Sequence, residues 1–188
     1  MYHRQSLPRL WMMTDERLGD ELFPALQRLP RGAGIVFRHY SLDPKARRKL
    51  FLRVRKHARA RGLQLMLAGS PQMAEAWGAD GSHGPAQAGS RRLPRSASVH
   101  NRAELRAAER GGADFIFVSP VFQTRSHPGA DALGPVRFGL LAGRARSPVI
   151  ALGGMNAVRA RRLAGFQIWG WGAIDAWNSV ARLRRRPV

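Results

Sequence analysis

Cysteine is absent from the 188 residues, which excludes disulfides, thiolate nucleophiles and Cys-ligated zinc. Lysine is nearly absent, with Lys45, Lys49 and Lys56 the only three, and acidic residues number just 12. There is no apolar run of the ~18 residues that a membrane-spanning helix needs. The N-terminal stretch MYHRQSLPRLWMMTDE lacks the basic start and long apolar segment of a secretion signal. A soluble, cytoplasmic protein is the expectation.

Arginine dominates instead, supplying all but three of the 32 basic residues and leaving a formal charge of +20. A field of that sign concentrates phosphorylated molecules. The arginines are scattered along the chain rather than gathered in one stripe, so they are expected to fill solvent-facing helix positions. Nucleic acid is not expected as a partner, because an aromatic-rich basic motif and a helix-turn-helix cue are both missing. The dense cluster RLRRRPV, residues 182–188, reads as a short solvated tail.

Short apolar runs alternate with helix-like segments. Strands are predicted at Leu10–Met13, Gly34–Phe37, Leu63–Leu67, Gly81–His83, Ala97–Val99, Phe115–Val118, Val149–Leu152 and within Phe166–Ile174. Helices are predicted at Glu21–Leu29, Pro44–Arg61, Pro71–Trp77 and after Asn101, where Glu104 completes a capping box. Glycines such as Gly111 are expected to close the helices in the left-handed conformation. About eight strand–helix units in register predict one domain over residues 1–188, an α/β (βα)8 TIM barrel with minimal loops. A doubly wound open sheet is the structural rival. Gly84–Pro94 is expected to be a mobile loop.

In a parallel barrel, chemistry gathers at the C-terminal ends of the strands. That rule selects Thr14-Asp15, Arg38-His39-Tyr40, Ala68-Gly69-Ser70, His83, Ser98, His100, the Thr124–His127 loop, Gly153-Gly154 and Gly170–Gly172. The bare backbone of Gly153-Gly154, ahead of a helix start, suits a phosphate, or else is only a tight turn. His39, His100 and His127 can exchange protons near neutral pH, though each also suits an ordinary surface or hydrogen-bonded histidine. His83 reads as structural. Trp171 is either core or a stacking platform at the pocket mouth.

The segments LWMMTD, GIVFR, GADGSH, SVH, GADFIFVSPVFQT and PVIALGGM, in that order, resemble the thiamine phosphate synthase/TenI superfamily over about Leu10 to Ile174. The resemblance implies a barrel of thiamine biosynthesis that joins a hydroxymethylpyrimidine diphosphate to a thiazole phosphate with Mg²⁺ and expels pyrophosphate. Arg38 and Ser98 would then meet the pyrophosphate. Thr124 and Ser126 would form the hydroxyl pair of the thiazole-phosphate loop, and Gly153, Gly154 and Gly172 would cradle that phosphate.

Several matching positions differ. The family's lysine two places after the arginine is Tyr40, its Asn-Asp pair is Ala68-Gly69, and the lysine of its phosphate loop is His127. The second metal-binding aspartate has no counterpart in GPAQAG. No metal site is therefore assigned on the protein, and Mg²⁺ is expected only through the pyrophosphate. Arg38, Ser98 and His127 are the catalytic candidates, with His39 added to the binding set. The TenI tautomerases use a histidine at the place of Pro120, so a tautomerase-like reading rests on His127. A non-catalytic binder of a phosphorylated small molecule is the remaining reading, and a homo-oligomer is a possible assembly.

Overall fold

A computed structural model describes residues 7–85, 92–124 and 131–177. Eight parallel strands close into a barrel in chain order: β1 (Leu10–Met13), β2 (Gly34–Phe37), β3 (Gln64–Ala68), β4 (Gly81–His83), β5 (Arg95–Val99), β6 (Phe115–Val118), β7 (Val149–Ala151) and β8 (Gly170–Ala173). Pairing of β1 with β8, Trp11 against Gly172, completes the ring and excludes the open sheet. The helices are α1 (Leu22–Gln27), α2 (Pro44–Arg61), α3 (Pro71–Trp77), α4 (Arg102–Arg110), α5 (Gly134–Ala142) and α6 (Ala157–Arg161). The molecule is the expected (βα)8 TIM barrel. Ser126, His127, the 182–188 tail and part of the Gly84–Pro94 loop lie outside the described residues.

Period-two alternation sorts the strand side chains. Met12, Ile35, Phe37, Leu65 and Leu67 face the helices of the first half-barrel, while Ile116, Val118, Val149 and Ala151 face those of the second. Trp11, Met13, Val36, Met66, Phe115, Phe117 and Ile150 fill the interior, so the barrel is a packed core rather than a pore. The Trp11 ring sits 5.1 Å from Phe115 and 5.5 Å from Phe117. It fits because Gly34 beside it has no side chain: a Cβ there would lie 2.3 Å from the indole.

Helix ends follow local chemistry. Asp43 caps α2 by accepting from the Lys45 and Ala46 amides, and Pro44 opens it with a preset φ. Asn101 accepts from the Glu104 amide at 2.9 Å, as the capping box predicts. Gly62 and Gly78 close α2 and α3 in the left-handed conformation, but Gly111 does not, with φ −73°. Gly112, at +72°, makes that turn one residue later, because the helix keeps Gly111 in its last hydrogen-bonded turn. On α2, Lys45, Arg48, Lys49, Arg53, Lys56 and Arg59 are all exposed. Charges scattered in sequence thus become a local stripe once helical periodicity stacks them. Among the described residues no helix is long and apolar enough to cross a membrane.

Candidate functional site

A cavity of about 330 Å³ opens at the C-terminal mouth of the barrel. Residues from the ends of every strand except β3 line it, which is where barrel geometry directs short loops. Arg38, Ser98, Thr124, Gly153 and Gly154 all contribute, together with Tyr40, His83, His100, Pro120 and Asp175. Residues more than 100 positions apart in sequence thereby meet in one hollow.

Arg38 follows β2 and is half-buried. Its backbone N–H donates to Thr14 Oγ1 (3.0 Å), its Nε to the Thr14 carbonyl (2.8 Å) and its Nη2 to Asp15 Oδ2 (2.8 Å). Nη1 makes no bond among the described residues, so the guanidinium is held by one edge and keeps donors for a ligand. Asp15 also accepts from Arg17 Nε at 2.7 Å. Burial alone would raise the Asp15 pKa, but bonds from Arg17 and the charges of Arg17 and Arg38 hold it below the usual carboxylate value.

His39 is placed elsewhere. With φ +38° the chain swings its ring inward, where it stacks on Phe37 at 4.8 Å and its Nδ1 meets the Thr14 hydroxyl at 2.9 Å. It does not line the cavity. Burial lowers its pKa, against the nearby Glu16 and Asp15, so it stays neutral near pH 7. Gly172 is likewise absent from the lining. It lies inside β8, where a Cβ would stand 3.2 Å from Trp11 Cβ and 3.4 Å from Leu152 Cδ1, so its bareness serves the packing of Trp11. Trp171 packs on the outer face of β8 and stacks on Trp177 (5.6 Å, 7°), away from the cavity.

The β6 and β7 loops are knitted together. The Val121 amide donates to the Leu152 carbonyl (2.9 Å) and the Phe122 amide to that of Gly153 (3.1 Å). Gly153 has φ +90°, and a Cβ on it would lie 2.6 Å from Pro120 Cα, so only glycine fits. Arg159 Nη1 donates to the Gly154 carbonyl at 2.5 Å. His100 lines the cavity with its Nδ1 at 2.7 Å from Glu104 Oε2.

His83 read as structural in the sequence, yet it reaches the cavity wall. It is 6% exposed, with Nδ1 at 2.9 Å from Ser96 Oγ and Nε2 at 3.2 Å from Ser98 Oγ. Burial, aided by the Arg38 charge, pushes its pKa down to about 4. The missed signal is the parallel register, which sets His83 opposite Ser96 and leaves Ser98 on the same face. Asp175 was also unforeseen, since it follows β8 in a short 3-10 turn with no motif to mark it.

Among the described residues Asp175 is the single carboxylate in the cavity lining, so no cage of several carboxylates surrounds a Mg²⁺ there. Such an ion needs hard carboxylate oxygens, and Ala68-Gly69 supplies none. Both Asp15 oxygens are committed to arginines. Among the described residues no three His, Asp or Glu side chains group to hold an ion.

Comparison with known proteins agrees with this architecture. The family model for thiamine monophosphate synthase (TMP-TENI) matches residues 10–176. The chain is 31% identical to the second candidate thiamine-phosphate synthase of Aquifex aeolicus, over 80% of this chain and 87% of that one. It is 30% identical to the thiamine-phosphate synthase of Chlorobium phaeobacteroides, over 79% and 78% respectively. In fold it is similar to thiamine phosphate pyrophosphorylase from Pyrococcus furiosus, with a TM-score of 0.74 over 92% of this chain and 88% of that one at 23% identity. The matched region runs from the first strand to the turn after the last, so the chain belongs to the thiamine monophosphate synthase family.

Proposed function

We propose that the protein acts in thiamine biosynthesis as a synthase-type transferase with an arginine-based rather than metal-based diphosphate site. It binds a pyrimidine diphosphate and a thiazole phosphate at the barrel mouth. A bond forms between thiazole and pyrimidine as the bond to the diphosphate breaks, and pyrophosphate leaves with that electron pair. The observation that carries this reading is the convergence of Arg38, Ser98, Thr124 and the Gly153-Gly154 turn on one cavity.

Arg38 presents a planar donor fork suited to the departing pyrophosphate. Ser98 adds a hydroxyl donor. The Gly153-Gly154 backbone takes the thiazole phosphate with Thr124 beside it, and Ser126, two residues on in sequence, is the second hydroxyl candidate. His127 stands in that loop as the proton-transfer candidate in place of the family's lysine. Mg²⁺, where present, arrives on the pyrophosphate. The tautomerase reading lacks the histidine that TenI tautomerases have at the place of Pro120 and rests on His127 alone. Binding without coupling is the second reading, favoured by Ala68-Gly69 standing where two metal-binding side chains are expected.

The deciding assay mixes protein, pyrimidine diphosphate, thiazole phosphate and Mg²⁺ and looks for thiamine phosphate above a no-enzyme control. Product is the expected result. Tight binding of thiazole phosphate with no product would select the second reading. Gly153→Ala is expected to weaken thiazole phosphate binding about tenfold or more, because a side chain at φ +90° against Pro120 must displace the loop. Titration calorimetry checks it, and unchanged affinity would remove the glycine pair from the phosphate site.

A further inference from the structure

His83 stands between two serine hydroxyls, and the pair of contacts leaves its hydrogen-bond polarity to be decided. A neutral imidazole has one donor and one acceptor nitrogen, so two arrangements compete. In the first, Nδ1–H donates to Ser96 Oγ. The Ser96 proton then has only Met66 Sδ, 3.7 Å away, and Ser98 spends its own proton on Nε2. In the second, Ser96 donates to Nδ1 and Nε2–H donates to Ser98 Oγ, which leaves the Ser98 proton for the cavity.

The second arrangement satisfies more groups. Ser96 is 2% exposed, so its proton must find a partner inside the protein, and a thioether is a weak acceptor beside an imidazole nitrogen. Ser98 is exposed at the cavity, where solvent or ligand can accept. The ring cannot rotate freely, because Phe117 meets it edge-on at 5.3 Å and 84°. The pairing of His83 with Ser96 across β4 and β5 fixes all three residues on one inward face.

We propose that His83 is a positioning residue: fixed by Ser96 as the Nε2–H tautomer, it donates to Ser98 and so turns the Ser98 hydroxyl proton into the cavity, towards an anionic oxygen. The inference rests on the reading that Ser98 meets a diphosphate. It deepens that reading by making Ser98 a donor whose direction is set from behind. The opposite tautomer would present oxygen lone pairs to the ligand and repel it.

The test uses the full chain labelled with ¹⁵N-histidine and inorganic pyrophosphate as probe. Two-bond ¹H–¹⁵N correlations read the tautomer of each ring directly, and the His83→Gln variant assigns the signal by its loss. Nε2–H is expected in the free protein and with pyrophosphate bound. Ser96→Ala is expected to shift the ring towards Nδ1–H and to weaken pyrophosphate about fivefold, the scale of one hydrogen bond. His83→Gln, whose amide can still donate to Ser98, is expected to stay within about threefold of the unaltered protein. His83→Phe should match Ser98→Ala, with no further loss in the double variant. An Nδ1–H signal in the free protein overturns the proposal, as does unchanged affinity in both Ser96→Ala and His83→Phe. If the unaltered protein does not bind pyrophosphate, the diphosphate reading fails, and the tautomer spectrum still decides whether the serine–histidine chain has this polarity.

Discussion

Arg38→Ala is expected to weaken pyrophosphate binding about 100-fold and to reduce coupling activity by at least as much, while the protein stays folded. Charge-assisted bidentate bonds are the strongest of the polar contacts available here, and a donor aimed at a departing phosphate contributes on the order of 2–4 kcal/mol. The fold tolerates the loss because Asp15 keeps its bonds to Arg17, at 2.7 and 3.1 Å. Arg38→Lys separates charge from geometry. An ammonium cannot hold the Thr14 carbonyl and Asp15 while still offering a fork, so it should recover only part of the affinity. Titration calorimetry with pyrophosphate, beside a thermal melt, reads both effects. Affinity within threefold of the unaltered protein would take Arg38 out of the diphosphate site.

The second large effect is on acid stability. His83 titrates at about 4 in the folded protein against 6.5 when exposed. Below pH 6.5 the unfolded chain therefore takes up the proton first, so stability falls as pH drops from 6.5 to about 4 and levels off below. The gap corresponds to ~3 kcal/mol. The charge of Arg38 adds to burial and works in the same direction. His39 and His57 are lowered too, but they remain in a His83→Gln variant and cancel in the comparison. Urea unfolding at steps between pH 7 and 4 should show the unaltered protein losing ~3 kcal/mol more than His83→Gln. Parallel curves would mean that the imidazole is hydrated in solution.

Much of the fold was legible because strand and helix periodicities are local. β1, β2, β4 and β6 and helices α2 and α3 lie where the sequence pattern puts them. β5 begins two residues earlier than its apolar run, at Arg95, since backbone pairing with β4 extends past the hydrophobic stretch. The long run at Phe166–Ile174 holds only a four-residue strand, because Phe166 and Ile168 pack on the second half-barrel before β8 begins. Cavity-lining residues were legible where a motif and a strand end coincide, as at Arg38, Ser98, Thr124 and Gly153-Gly154. His39 satisfied the same rule, but its left-handed backbone turned it into the wall.

By itself the sequence determined the strand–helix units and the loops that follow the strands. Those follow from residue types and spacing, which act over a few positions. The tertiary structure alone decided that Gly172 makes room for Trp11, that Asp15 aims Arg38, and that His83 lies between Ser96 and Ser98. Each of those depends on which residue stands opposite across a strand pair or loop. Barrel closure sets that register, and spacing along one strand does not contain it.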